Sequence, residues 1–177
     1  MMGLKQGTIG LRAPEPEDVD FLFQLENNRQ MWPVSNTLLP YSRFDLEQYL
    51  FSSDKADPFA VRQVRLMIEL NQNEVKTTIG TIDLFDIDAV HRRAGVGIVV
   101  VSDFRNHNYA TTALSICMEY ASNELNLHQL YCNIDENNIA SLKLFKKSGF
   151  EEVGLKKEWN IRNGRWVNEF LLQKIIE

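Results

Sequence analysis

The apolar run Ile98-Val99-Val100-Val101 passes through Ser102 and Asp103 into Arg105-Asn106-His107-Asn108-Tyr109-Ala110, and from there into a helical pattern. Branched apolar residues in a continuous run suit a strand buried on both faces and disfavour a helix. From Tyr109 the period changes. Ala110, Ala113, Leu114, Cys117, Met118, Ala121 and Leu125 recur at helical spacing, which predicts one apolar face on a helix beginning near Asn108. The first N–H groups of such a helix have no intrahelical partner, and its dipole favours negative charge there. Arg105 and His107 add cationic or proton-donating groups, and Asn108 is among the few non-glycine residues that tolerate a left-handed turn. The chemistry these residues suit is anion binding, above all of a phosphate. The same order of elements also serves as plain structure in other chains, so the residue types at the turn carry the reading.

The elements that must position this turn are legible as periodic segments. Ile9 and Leu11 alternate with polar or small residues in a first strand that ends at Pro14 and Pro16. Glu15, Glu17 and Asp18 load the first turn of a helix whose apolar side carries Val19, Leu22 and Phe23. A loop with bulky residues, Met31-Trp32-Pro33 to Pro40-Tyr41, precedes a second helix over Phe44 to Phe51. Val64, Leu66, Ile68 and Leu70 alternate in period two, and Asn71-Gln72-Asn73 turn the chain into a second alternating run from Lys76 to Leu84. A strand from Arg92 to Val101 then reaches the turn, and after the long helix come a strand at Leu130 to Ile134 and a short helix at Ile139 to Lys147. Ser148-Gly149-Phe150 ends that helix. The last segment is a hairpin, Glu151 to Ile161 and Trp166 to Ile175, turned at Asn163-Gly164. This order predicts one α/β (α+β) domain over residues 1 to 177, with a mixed, mostly antiparallel seven-stranded sheet and helices on both faces.

Composition narrows the class. With 19 Lys+Arg against 24 Asp+Glu and a formal net charge of -5, a nucleic-acid-binding footprint is not expected. Cys117 and Cys132 lie inside apolar periodic segments without metal-ligand spacing, which predicts buried thiols, no disulfide and no metal site. No stretch has the length of a membrane span or the pattern of a secretion signal, so a cytoplasmic location is expected.

Three segments together are specific. Arg105-x-x-Asn108-x-Ala110 is one; the run Asn138-Ile139-Ala140-Ser141-Leu142-Lys143-Leu144-Phe145-Lys146-Lys147-Ser148-Gly149-Phe150 is the second; Ala121-Ser122-Asn123-Glu124-Leu125-Asn126-Leu127-His128-Gln129-Leu130 is the third. They resemble, in order, the acetyl-CoA pyrophosphate loop, the C-terminal cofactor helix, and the end of the long helix of the GNAT family of N-acetyltransferases. Asn108 stands where that loop usually has glycine. Within the family the chain is most similar to the spermidine N-acetyltransferase and ribosomal-protein alanine acetyltransferase groups, through His91-Arg92-Arg93-Ala94 and Leu125-Asn126-Leu127. It departs from the spermidine pattern at Gly95, where an acidic residue is usual, and at the neutral Ser35-Asn36-Thr37.

The resemblance implies acetyl transfer from acetyl-CoA to a primary amine by direct attack in a ternary complex. It implies that the backbone of Val99 and Val101 orients the pantetheine, that Arg105, Asn106, His107, Asn108, Tyr109 and Ala110 hold the diphosphate, and that Asn138 and Lys147 join the cofactor contacts. The position matching the family's leaving-group tyrosine is Phe145, which has no proton to give; Ser141 is the nearest hydroxyl on the same helix face. A thiol with pKa about 8.5 can also leave unaided. His91 and His128 read as structural or solvated, Glu69 and Asp83 could relay a proton through water, and Trp32, Tyr41 and Trp159 could wall the acceptor site. A small-molecule amine or a protein N-terminus is the expected acceptor, in a chain with no nucleic-acid or membrane partner that could form a homodimer. Polyamine acetylation and a non-catalytic acetyl-CoA-binding module are the alternatives.

Overall fold

Strands dominate, joined in one sheet by turns and by helical connections. The structure is a computed structural model describing residues 4–32, 38–53 and 57–176. Its elements are β1 (Lys5–Gln6), β2 (Ile9–Arg12), α1 (Val19–Glu26), α2 (Arg43–Ser53), α3 (Pro58–Val61), β3 (Gln63–Gln72), β4 (Val75–Asp88), β5 (Arg93–Val100), α4 (Tyr109–Asn123), β6 (Gln129–Asp135), α5 (Ile139–Lys147), β7 (Glu151–Arg162) and β8 (Arg165–Ile175). The described residues form an eight-stranded sheet in the order β1-β2-β3-β4-β5-β6-β8-β7. The β5–β6 pair is parallel and the others are antiparallel. The sequence pattern predicts seven strands; the eighth is β1, two exposed residues with no alternation to read.

Successive side chains on a strand point to opposite faces. Met67 of β3 packs with Leu22 of α1 and with Leu46 and Leu50 of α2 on one face of the sheet. Its neighbour Ile68 joins the larger core on the other face, with Ala113, Leu114 and Cys117 of α4 and Leu142 and Phe145 of α5. Helices therefore cover both faces, as the periodicity predicts. Both cysteines are buried, and burial pushes each thiol up to about 12.

Two hairpin turns have both central residues at positive φ, Asn73 and Glu74 in one and Asn163 and Gly164 in the other. That geometry matches the twist of the flanking strands. The first turn falls later than the polar run Asn71-Gln72-Asn73 suggests, because the N–H of Asn71 is tied to Thr8 O at 2.8 Å and Gln72 still pairs with Val75. At the other end of β2, Arg12 clamps both oxygens of the buried Asp18 at 2.7 and 2.8 Å, fixing the entry to α1.

Candidate active site

The parallel pair β5–β6 is short. Only Arg93↔Gln129, Ala94↔Leu130 and Gly95↔Tyr131 are paired, although β5 continues to Val100 and β6 to Asp135. β4 holds β5 through Gly80↔Val100, and β8 holds β6 through Asp135↔Glu169, so the two strands splay apart and leave a V-shaped opening between them. Antiparallel residues alternate between pairs that exchange hydrogen bonds and pairs that do not. Val101 N–H donates to Ile79 O at 2.9 Å, which puts Val101 and Val99 on the β4 side. By the same alternation the backbone groups of Ile98 and Val100 face the opening. The backbone expected at Val99 and Val101 to orient the pantetheine is thus turned toward β4, and the groups turned to the opening are those of Ile98 and the N–H of Val100, whose carbonyl Arg105 takes.

β5 runs directly into the anion turn. Asn106 and Asn108 are both left-handed, at φ 65 and φ 61. Asn108 caps α4, and its carbonyl takes the N–H of Thr112 at 3.1 Å, leaving the N–H groups of the first turn without intrahelical partners. Arg105 Nε donates to Val100 O at 2.8 Å, which anchors the guanidinium at the end of the splay. His107 Nδ1 lies 2.7 Å from Arg105 O, and its ring stacks on Tyr109 at 5.3 Å. Lys147, from the far end of α5, donates to Asn108 Oδ1 at 3.0 Å. A histidine and a lysine thus lie at the helix N-terminus, with the Arg105 guanidinium bonded to Val100 O and close to Met31 Sδ beside it, an arrangement suited to a diphosphate.

α5 spans the splayed ends. It starts beside β6, where Asn138 N–H bonds Asp135 O at 2.9 Å, and ends at the anion turn through Lys147. Asn138 is the cap of this helix; its Oδ1 accepts the N–H of Ser141 at 3.2 Å. Ser141 is half-buried on the same helix as Phe145, which is buried in the larger core and meets Phe150 edge-on at 5.0 Å.

The opposite face of the splay is floored by glycine. Gly97 pairs with Asp83 and Gly95 with Phe85, so neither glycine raises a side chain between them. Arg65 donates to both oxygens of Asp83, at 2.6 and 3.2 Å, and to Glu26 Oε1 at 2.6 Å. Burial alone would lower the guanidinium's pKa, but the two carboxylates outweigh it and raise the pKa above its ordinary value. Tyr49 stands over Arg65, and burial raises its phenol. Across the opening, Asp135 accepts from Arg162 at 2.5 Å and from Asn160 at 2.7 Å, while Lys156 and Asn160 bond Glu169.

Of the remaining candidates, Glu69 is held by Arg12 and Lys76 on the β2 side of the sheet, away from the splay. His91 and His128 are exposed outside it. Trp32 donates to Glu26 O at 2.8 Å and so adjoins the Arg65 cluster, whereas Trp159 is exposed beside Lys156 on β7. Ser35-Asn36-Thr37 lie outside the described residues. Sequence reasoning missed Arg65 and Glu26. The one available signal was a charged residue at a sheet-facing position of an otherwise apolar alternating strand.

A family model described as "Acetyltransferase (GNAT) domain" matches residues 8–151. The chain is 30% identical over 161 residues to the spermidine N(1)-acetyltransferase of Vibrio cholerae, a match covering 89% of this chain and 87% of that one. A crystal structure of spermidine N-acetyltransferase from Vibrio cholerae in complex with CoA and spermine superimposes with a TM-score of 0.83 at 26% identity, covering 97% of both chains. A dodecameric structure of spermidine N-acetyltransferase from the same organism matches with a TM-score of 0.79 at 26% identity, covering 96% of this chain and 95% of that one.

Proposed function

Because this chain belongs to the acetyltransferase (GNAT) family and is an acetyl-CoA-dependent N-acetyltransferase, we propose that its acceptor is a small primary amine rather than a polyamine, and we assign its working residues as follows. Arg105, Asn106, His107, Asn108, Tyr109, Ala110 and Lys147 hold the diphosphate. The backbone of Ile98 and Val100 orients the pantetheine and offers an N–H to the thioester oxygen. Acetyl-CoA supplies an activated acetyl group on a thiol whose ordinary pKa of about 8.5 makes it a competent leaving group. Asn138 contributes by capping the helix that closes the splay.

The acceptor approaches over Gly97. Glu26, Asp83 and Arg65 leave one negative charge in excess, which matches a single ammonium. Asp83 accepts two bonds from Arg65, so it orients the amine and a water more readily than it abstracts a proton. An α-amine with pKa near 7.7 to 8.0 asks little of any base, whereas a lysine-like amine near 10.4 is protonated by about three units at pH 7. Ser141 is the hydroxyl that the same helix face offers in place of the proton donor that Phe145 lacks. The second reading is polyamine acetylation, favoured by the names of the relatives and opposed by the absence of a side chain at Gly95.

The observation that carries the proposal is the splayed β5–β6 edge ending at a turn with two left-handed asparagines, where Lys147 bonds Asn108. The test is acceptor-dependent release of free CoA across a panel of monoamines, N-terminal peptides and spermidine. Monoamines or α-amines should exceed spermidine in kcat/KM; efficient spermidine turnover at physiological salt would overturn the preference. We assign a cytoplasmic setting and self-association through the β7 edge, where Val153, Leu155 and Ile161 are exposed. Light scattering at several concentrations tests the latter, and a monomer throughout would refute it.

A further inference from the structure

Phe85 is placed where it can choose the acceptor. It lies on β4 two residues beyond Asp83, hence on the same face of the sheet. A Cβ built on Gly95 would stand 2.3 Å from its Cε2 and 2.5 Å from its Cζ, while one on Gly97 would clear its Cε1 at 3.7 Å. The ring therefore lies flat over Gly95 and reaches toward Gly97. Tyr131 of β6, paired with Gly95, meets the ring edge-on at 6.2 Å and 80°. Both aromatic side chains are only half-buried, at the end of the paired stretch where the splay begins.

Resting on the acetyltransfer reading above, we infer that Phe85 and Tyr131 form an aromatic floor beside Gly97 that selects a monoamine with an apolar body, its ammonium toward Asp83 and its apolar part on the Phe85 ring. The glycine is a consequence of the ring. No side chain can be placed at position 95 while Phe85 occupies that space, so no carboxylate can stand there to meet a second ammonium. Asp83 and Glu26 are both engaged by Arg65, while burial and the nearby Asp86 raise the pKa of the Tyr131 phenol. An extended polycation would lay a second charge on the Phe85 ring, where Gly95 offers no side chain to meet it. An ammonium close to a ring face gains some cation–π attraction, but much less than it loses when its hydration is not replaced. An apolar body instead removes its own surface and that of the rings from water.

The experiment compares 2-phenylethylamine, butylamine and spermidine as acceptors for the full chain and for Phe85→Ala and Phe85→Leu, with acetyl-CoA-induced thermal stabilisation as the check on folding and cofactor binding. The full chain should turn over 2-phenylethylamine with a kcat/KM at least about ten-fold above that for spermidine. Phe85→Ala should raise KM for 2-phenylethylamine about ten-fold, the scale of one aromatic contact, with kcat nearly kept and the acetyl-CoA response intact. Phe85→Leu should recover butylamine but not 2-phenylethylamine. Equal KM values for 2-phenylethylamine in the full chain and both variants, or a preference for spermidine in the full chain, would overturn the inference while leaving acetyl transfer standing. CoA release with none of the amines would overturn the acceptor reading and this inference with it.

Discussion

Asn108 carries a backbone requirement at the proposed cofactor turn. It is left-handed, it caps α4, and its amide oxygen receives Lys147. A β-branched residue cannot take that conformation without strain of about 1–2 kcal/mol, whereas glycine takes it freely. Asn108→Val should therefore weaken acetyl-CoA binding about ten-fold, and Asn108→Gly should change it by less than about three-fold; calorimetry on both variants decides, and equal losses would remove backbone conformation from the account. A second test concerns proton supply. Phe145→Tyr should raise the single-turnover rate and Ser141→Ala should lower it modestly, toward the bottom of the 10²- to 10⁴-fold range of general-acid assistance, with cofactor affinity nearly intact in both. An unaltered chemical step in Ser141→Ala would leave the thiolate departing unaided. The strand-to-helix turn was legible because the branched apolar run stops at Val101 and the helical period starts after Asn108. The parity of β5 was not, since it depends on the Val101 bond to Ile79, a register that no local pattern shows. Arg65 and its partners were hidden for a related reason: Glu26 and Asp83 join it only in the folded sheet.

At the scale of elements, the clamp between Arg12 and Asp18 fixes α1 against β2. Burial pushes the Asp18 carboxyl up, but the Arg12 bonds and the Glu15 N–H outweigh it and hold it below the ordinary carboxylate value. The resulting stabilisation is fully present above the unfolded value near 4 and is lost as pH falls through the lowered folded value. Asp18→Asn should cost about 1–3 kcal/mol at pH 7, lowering Tm by about 3–10 °C, and should flatten the acid limb of the stability curve below about pH 4. Parallel acid limbs for the two proteins would contradict this. Long periodic elements such as β3 and α4 follow from their alternation. α3 escaped notice because it has four residues, though Asp57 before Pro58, with its carboxylate on the Phe59 N–H at 2.9 Å, is an ordinary helix-start signal. β1 has too few residues for any period. The splay of β5 from β6 is a property of two strands far apart in sequence, and only the resemblance to the family could supply it.

The whole molecule is acidic, with a formal net charge of -5, yet it binds an anionic cofactor. On the proposed assignment this is met locally, by Arg105 and Lys147 near the start of α4. Acetyl-CoA at about 100 times its dissociation constant should stabilise the fold by roughly 2.7 kcal/mol, a rise in Tm of about 5–10 °C. The central claim, that a cofactor held on this turn gives its acetyl group to a small primary amine over Gly97, is tested most directly by following free CoA and N-acetyl product together while one amine is varied. The account predicts acceptor-dependent CoA release, equal in amount to the N-acetylated amine formed and saturable in the monoamine. Acetyl-CoA binding accompanied by no amine-dependent release of CoA would contradict it.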